Sequence, residues 1–193
     1  MTVTVAVLVG SLRDRSYNHR LALALQRLGP PEWEYVSVRI DEVPFFDQDL
    51  QERPPESVVR LKEAIASADA LMFVSPEYNR SIPGALKNAI DWASRPREGN
   101  PFAGKPALIA GVSTGSIGTA VAQSHLRDVL AYLDVPVMGQ PEVYVTFKPS
   151  DLIDMDGNVT VESTEVFLRG VMDSFARWVG LVREGRAAVA APR

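Results

Sequence analysis

The sequence predicts a doubly wound α/β fold, a single parallel sheet with helices on both faces. Two apolar runs, Val5-Ala6-Val7-Leu8-Val9 and Ala70-Leu71-Met72-Phe73-Val74, show no alternation, as expected of strands buried on both faces. Segments with helical spacing separate such runs along the chain, and regular alternation of strand and helix gives a parallel sheet. A length of 193 residues, 46% of them apolar, with no cysteine, suits one domain whose core needs no disulfide staples.

The first strand is expected over residues 3–9 and the first helix over 18–28, with Leu21, Ala24, Leu25 and Leu28 on one face. Pro30 and Pro31 end that helix, since proline removes a donor and clashes with the preceding turn. The alternating run 35–40 reads as a second strand. A connection follows with Phe45, Phe46 and several prolines, suited either to packing over the sheet end or to a subunit surface. A helix over 57–68 carries the stripe Val58, Leu61 and Ile65. After the strand at 70–74, Ser81 is placed to cap a helix over 82–93, with Pro83 in its first turn. A fourth strand spans 105–111 and a helix 119–133. The fifth strand is expected in two pieces, 135–137 and 143–145, interrupted by Gly139 and Pro141. The last helix is expected over 163–183, with Phe167, Val171, Ser174 and Trp178 on its inner face. Residues 1–183 therefore form the domain, and the alanine-rich stretch 184–193 is expected to fray.

Composition narrows the function. Without cysteine there is no thiolate nucleophile or thiolate metal site, and the two histidines, His19 and His125, are too far apart in sequence to suggest a metal cluster; no metal is expected. A net charge of −4 argues against nucleic acid, whose phosphates call for a basic face. No apolar run approaches the roughly 20 residues that cross a bilayer. The N-terminus leads directly into the first strand, with no secretory signal, so a cytoplasmic protein is expected.

Three polar loops leave the carboxyl ends of the first, third and fourth strands. In the sheet order 2-1-3-4-5 these strands are neighbours, and ligands of such sheets bind at that edge. The first loop, Gly10-Ser11-Leu12-Arg13-Asp14-Arg15-Ser16-Tyr17-Asn18, runs into a helix N-terminus, where free N–H groups and the positive helix end favour an anion. Ser11, Ser16 and Asn18 add neutral hydrogen bonds and Arg13 a charged one. Capping alone would account for one of Ser16 and Asn18, at about 1 kcal/mol, but not for arginines beside serines. Gly10 is the only glycine of this loop, so neither the dinucleotide fingerprint nor the Walker loop is present there. A terminal phosphate monoester fits better than a pyrophosphate.

The second loop, Pro76-Glu77-Tyr78-Asn79, sets an aromatic ring beside an amide, a carboxylate and exposed backbone. It suits a planar heterocycle, or an ordinary proline turn with a surface tyrosine. The third loop holds Ser113, Thr114, Gly115 and Ser116, and Gly111-Val112-Ser113-Thr114-Gly115 matches the nucleophile elbow of serine hydrolases. That chemistry needs an acid and then a histidine after the serine, yet only His125 follows and no carboxylate lies between them. A small-residue loop that lets backbone approach a ligand is the better reading. A phosphate site and a ring site with no acid–base–nucleophile set suit a protein whose cofactor does the chemistry.

With these loops in view, the chain resembles the NADPH-dependent FMN reductase family, a flavodoxin-like group that includes chromate, quinone and azo-dye reductases. The resemblance lies in GSLRDRSYN (10–18), SPEYNRSIPGALKNAIDW (75–92) and STGSIG (113–118). It implies a three-layer sandwich around a five-stranded sheet of order 2-1-3-4-5. It also implies FMN, with its phosphate at Ser11, Arg13, Ser16 and Asn18. The ring would lie along Pro76, Glu77, Tyr78 and Asn79, chiefly their backbone, flanked by Ser113, Thr114, Gly115 and Ser116. Ser116 and Thr119 stand where many members carry glycine. The implied reaction is ping-pong: NADPH or NADH gives hydride to the flavin, and a small acceptor then takes the same open face. A flavodoxin-type electron carrier is the alternative, and a hydrolase using Ser113 a distant third. Family members form homodimers or homotetramers, for which Phe45, Phe46, Tyr132 and Glu142 are the expected contact positions.

Overall fold

A computed structural model describes residues 2–147 and 152–190. The strands β1 (Thr4–Val9), β2 (Glu34–Ser37), β3 (Ala70–Val74), β4 (Ala107–Ser113) and β5 (Val143–Thr146) form one sheet. Every pairing is parallel and the order is β2-β1-β3-β4-β5. The helices are α1 (Tyr17–Leu28), α2 (Glu56–Ala66), α3 (Gly84–Ala93), α4 (Ala120–Tyr132) and α5 (Glu162–Ala190). The flavodoxin-like order expected from the sequence is the order found.

The side-chain period of two divides the apolar runs between two cores. Val5 and Val7 of β1 join Met72 and Val74 of β3 on the face covered by Leu21 and Leu25 of α1 and Met172 and Phe175 of α5. Ala6, Leu8, Leu71 and Phe73 point the other way, against Leu61 and Ile65 of α2, Ile90 of α3 and Leu126 of α4. The runs are continuous in sequence because neither face of these strands meets water.

Several elements depart from expectation. β2 ends at Ser37, although the Val38 N–H still donates to the Val7 carbonyl at 2.9 Å. Only the second piece of the expected fifth strand is β5, and Val137 makes an isolated bridge to Ala107. Ser81 does not cap α3, which begins at Gly84 with Pro83 at the cap position and no side-chain bond there. α5 continues to Ala190, through most of the segment expected to fray; residues 191–193 lie outside the described residues. Its inner ridge is Leu168, Val171, Met172, Phe175 and Val179. Phe167 is exposed, so only Val171 of the expected face is fully buried, while Trp178 is half-buried and donates to the Pro136 carbonyl at 2.9 Å. With apolar residues on both sides of the stripe, periodicity alone left the helix rotation undetermined.

Part of the connection after β2 packs on α3. Phe46 meets Trp92 of α3 edge-on at 5.0 Å, and Asn88 and Trp92 both donate to the Pro44 carbonyl at 2.8 Å. Phe46 is therefore held within the subunit, while Phe45 is 89% exposed. Among the described residues no helix is long and apolar enough to cross a membrane.

Phe175 is fully buried and packs edge-on against Trp33 at 5.7 Å. Phe175→Ala is expected to lower unfolding free energy by about 3–5 kcal/mol, read from urea denaturation.

Candidate functional site

The three loops meet because the ladder continues past the strand ends. The Gly10 N–H donates to the Val74 carbonyl at 2.9 Å, and the Ser75 N–H to the Ala110 carbonyl at 3.0 Å. Ser75 sits between two glycines. A Cβ on Gly10 would lie 2.6 Å from the Ser75 hydroxyl, and one on Gly111 would lie 2.4 Å from the Ser75 carbonyl. Only glycine lets the first and third loops close on the second this tightly.

They enclose a cleft of about 240 Å³. Arg13, Ser16, Tyr17 and Asn18 line it from the first loop, and Pro76, Glu77 and Tyr78 from the second. Val112, Ser113 and Thr114 line it from the third. A larger cavity of about 370 Å³ lies between α3 and α4, away from the strand ends.

At the first loop, α1 begins with Ser16 as its cap, the hydroxyl accepting from the His19 N–H at 3.4 Å. The N–H groups of Tyr17 and Asn18 have no acceptor among the described residues, as the first turn of a helix dictates. Arg13 is oriented beside them. Its guanidinium donates to the Arg15 carbonyl at 2.8 Å and lies 4.8 Å from the centre of the Tyr17 ring. Tyr17 in turn stacks on Phe147 at 4.3 Å. Sequence reasoning did not assign Tyr17 a role, although it stands inside the first motif; its contact with Phe147 spans the chain and has no local signature.

Asn18 is buried, and its amide is engaged with backbone: Nδ2 donates to the Val112 carbonyl at 2.9 Å and Oδ1 accepts the Val112 N–H at 3.0 Å. The side chain thus ties the start of α1 to β4, and Asn18 is at the same time one of the residues that line the cleft. The Glu77 side chain is also engaged with backbone. Its Oε2 accepts from the N–H groups of Val121 and Ala122, both at 3.0 Å, so its carboxylate holds the N-terminus of α4.

Ser11, Asn79, Gly115 and Ser116 do not line the cleft. Ser11 lines a neighbouring depression of about 250 Å³ with Arg39 and Asp41. Asn79 and Arg80 have φ of 50° and 64° and form the tip of a two-residue turn, closed by paired 3.0 Å bonds between Tyr78 and Ser81. Asparagine is one of the few residues suited to that backbone. The Gly115 N–H donates to the Ser113 hydroxyl at 3.0 Å, and Ser116 is exposed. Thr119 is fully buried, its hydroxyl accepting from Gln123 at 2.9 Å.

His125 lies 3.0 Å from the Ser81 hydroxyl through Nδ1, so the histidine a hydrolase would need for Ser113 pairs with another serine. Among the described residues no group of three His, Asp or Glu side chains is placed to hold a metal ion. On β5, the Tyr144 phenol donates to Glu142 at 2.6 Å. Burial and that bond push its pKa up to about 12.

The donor set fits a flavin mononucleotide. Arg13, Ser16 and the first turn of α1 line the cleft together, and a guanidinium, a hydroxyl and a helix N-terminus are the donors that a phosphate monoester requires. The Pro76–Tyr78 backbone and the small third loop form the walls that a flat ring requires.

The family model for NADPH-dependent FMN reductase matches residues 3–150. This chain belongs to that family. It is 49% identical over 179 residues to a 2-hydroxy-1,4-benzoquinone reductase of a Burkholderia species, covering 93% of this chain and 97% of the relative. It is 44% identical over 181 residues to a quinone reductase of Pseudomonas putida, covering 93% and 96%. Among solved structures it is similar to FerB, a flavoenzyme NAD(P)H:(acceptor) oxidoreductase from Paracoccus denitrificans. That likeness has a TM-score of 0.88 at 44% identity, covering 93% of this chain and 98% of the other. Membership makes the protein an FMN-dependent enzyme with a reduced nicotinamide nucleotide as donor.

Because Asn18 satisfies two buried backbone groups of Val112, Asn18→Ala is expected to destabilise the protein by about 1–3 kcal/mol even without cofactor. Chemical denaturation of the apoprotein checks this. A change confined to cofactor affinity would contradict it.

Proposed function

We propose that this chain is an FMN-dependent NAD(P)H oxidoreductase whose acceptor is a small quinone. The observation that carries the reading is the meeting of the three loops in one cleft, with the N-terminus of α1 and Arg13 at one end and the Pro76–Tyr78 backbone along its side. The relatives named as quinone reductases support the acceptor class. When bound, FMN supplies the redox chemistry, taking hydride from the nucleotide and passing reducing equivalents to the acceptor.

The residues of the chain bind and orient. Arg13, Ser16 and the first-turn N–H groups of α1 hold the phosphate. The Arg13–Tyr17–Phe147 stack keeps the guanidinium in place. Pro76, Glu77 and Tyr78 offer main-chain groups to the ring, and Ser113 and Thr114 close the opposite wall. Tyr78 is half exposed at the mouth, where a second ring can approach a bound one. No side chain has to ionise during turnover; the protein contributes position and exclusion. Chromate, azo dyes and free flavin are further acceptors that an open flavin face admits.

The same site on a pure electron carrier would need a partner protein. Steady-state consumption of NADPH or NADH with a quinone alone separates the two: the enzyme turns over and the carrier does not. The purified protein is expected to be yellow and to bleach within a catalytic cycle on adding either nucleotide. Absence of bleaching by both would overturn the reading. Arg13→Ala is expected to weaken FMN binding about ten- to a hundredfold, read by quenching of flavin fluorescence.

We further infer a homodimer or homotetramer working in the cytoplasm, where the reduced nucleotide is supplied. Phe45 at 89% exposure and Tyr132 at 65% support a subunit contact. Sedimentation velocity is expected to give at least twice the 21.1 kDa of one chain, and Phe45→Ser or Tyr132→Ser to shift it toward the monomer.

A further inference from the structure

α4 lacks a cap of its own. Its cap residue, Thr119, makes no side-chain bond to the helix start; its hydroxyl is buried and accepts from Gln123. The open N–H groups of Val121 and Ala122 are satisfied from elsewhere in the chain, by one oxygen of Glu77 at 3.0 Å to each. The Glu77 side chain is only 9% exposed, and its other oxygen lies 3.6 Å from Arg80. A carboxylate at a helix N-terminus is held both by the N–H groups and by the positive helix end.

The second loop is fastened to the same helix again. Four residues beyond Glu77, the Ser81 hydroxyl pairs with His125, one turn further along α4, at 3.0 Å. Between the two fastenings stands the Tyr78–Ser81 turn, whose central residues have positive φ. Asn79 tolerates that conformation, but Arg80 gains nothing from it locally. The turn is closed by its own paired backbone bonds, and α4 holds it from outside at both ends.

We propose that Glu77 is a positioning residue for the ring-binding loop. By serving as the missing cap of α4, it makes the Pro76–Tyr78 backbone and the start of α4 a single rigid unit. The third loop enters that same helix start, so two walls of the cleft are set by one carboxylate. The functional consequence rests on the flavin reading above; the mechanical linkage does not.

The test has two readouts. In the apoprotein, amide hydrogen exchange of Glu77→Ala is expected to speed up at Val121 and Ala122 and also in the turn at Tyr78 and Ser81. Faster exchange at the helix start with an unchanged turn would make Glu77 a cap and nothing more, and would overturn the proposal. In FMN titrations, Glu77→Ala is expected to raise Kd at least tenfold. Glu77→Gln keeps an acceptor oxygen at the same reach, and is expected to return Kd to within threefold of the parent. A Glu77→Ala protein that binds FMN like the parent overturns the proposal and leaves the function standing. A parent protein that takes up no FMN overturns the function, and the exchange data still decide the linkage.

Discussion

The site depends on β1, β3 and β4 lying side by side and pointing the same way. Parallel strands have to be joined by crossovers, so the carboxyl ends of all three reach one edge and every loop leaving that edge is a neighbour of the next. The pairings Val9 with Val74 and Val74 with Ala110 fix the loops at that edge in register, and Gly10 and Gly111 remove the side chains that would hold them apart. Shifting any of these strands by one residue would turn its side chains to the opposite face and disorganise both cores and the cleft together.

Polar residues at the cleft divide into two kinds. Asn18 and Glu77 use their side chains to satisfy backbone groups in other parts of the loop cluster, and Ser113 one within its own loop. They make the walls. The other polar side chains that line the cleft are those of Arg13, Ser16, Tyr17, Tyr78 and Thr114. This division follows from the free energies involved: an unsatisfied buried backbone group costs about 1–3 kcal/mol, so a buried amide or carboxylate side chain is drawn first to the protein itself. A site built chiefly from backbone also suits a bound group that carries out the redox chemistry, since rigidity and shape matter there more than a titrating side chain.

Much of this was legible in the sequence. The two-sided apolar runs gave the central strands, and the polar breaks after them gave the three loops. The family resemblance, carried by the long middle motif, agrees with the family match over residues 3–150. The elements read least well were those whose local pattern was ambiguous: the half-strand ending in Val137, the rotation of α5, and the cap of α3. Each depended on what the segment packs against.

The sequence by itself determined the order of elements, the parallel sheet and the positions of the three polar loops, because side-chain period and chain reversals are local properties. Only the tertiary structure decided what the polar side chains in those loops do. The partners of Asn18 and Glu77 lie 94 and 44 residues away along the chain, and a hydrogen bond between residues so far apart leaves no periodicity or spacing to read. The same reason kept Tyr17 hidden, since its role comes from stacking on Phe147, which reaches it only once β5 closes the edge of the sheet.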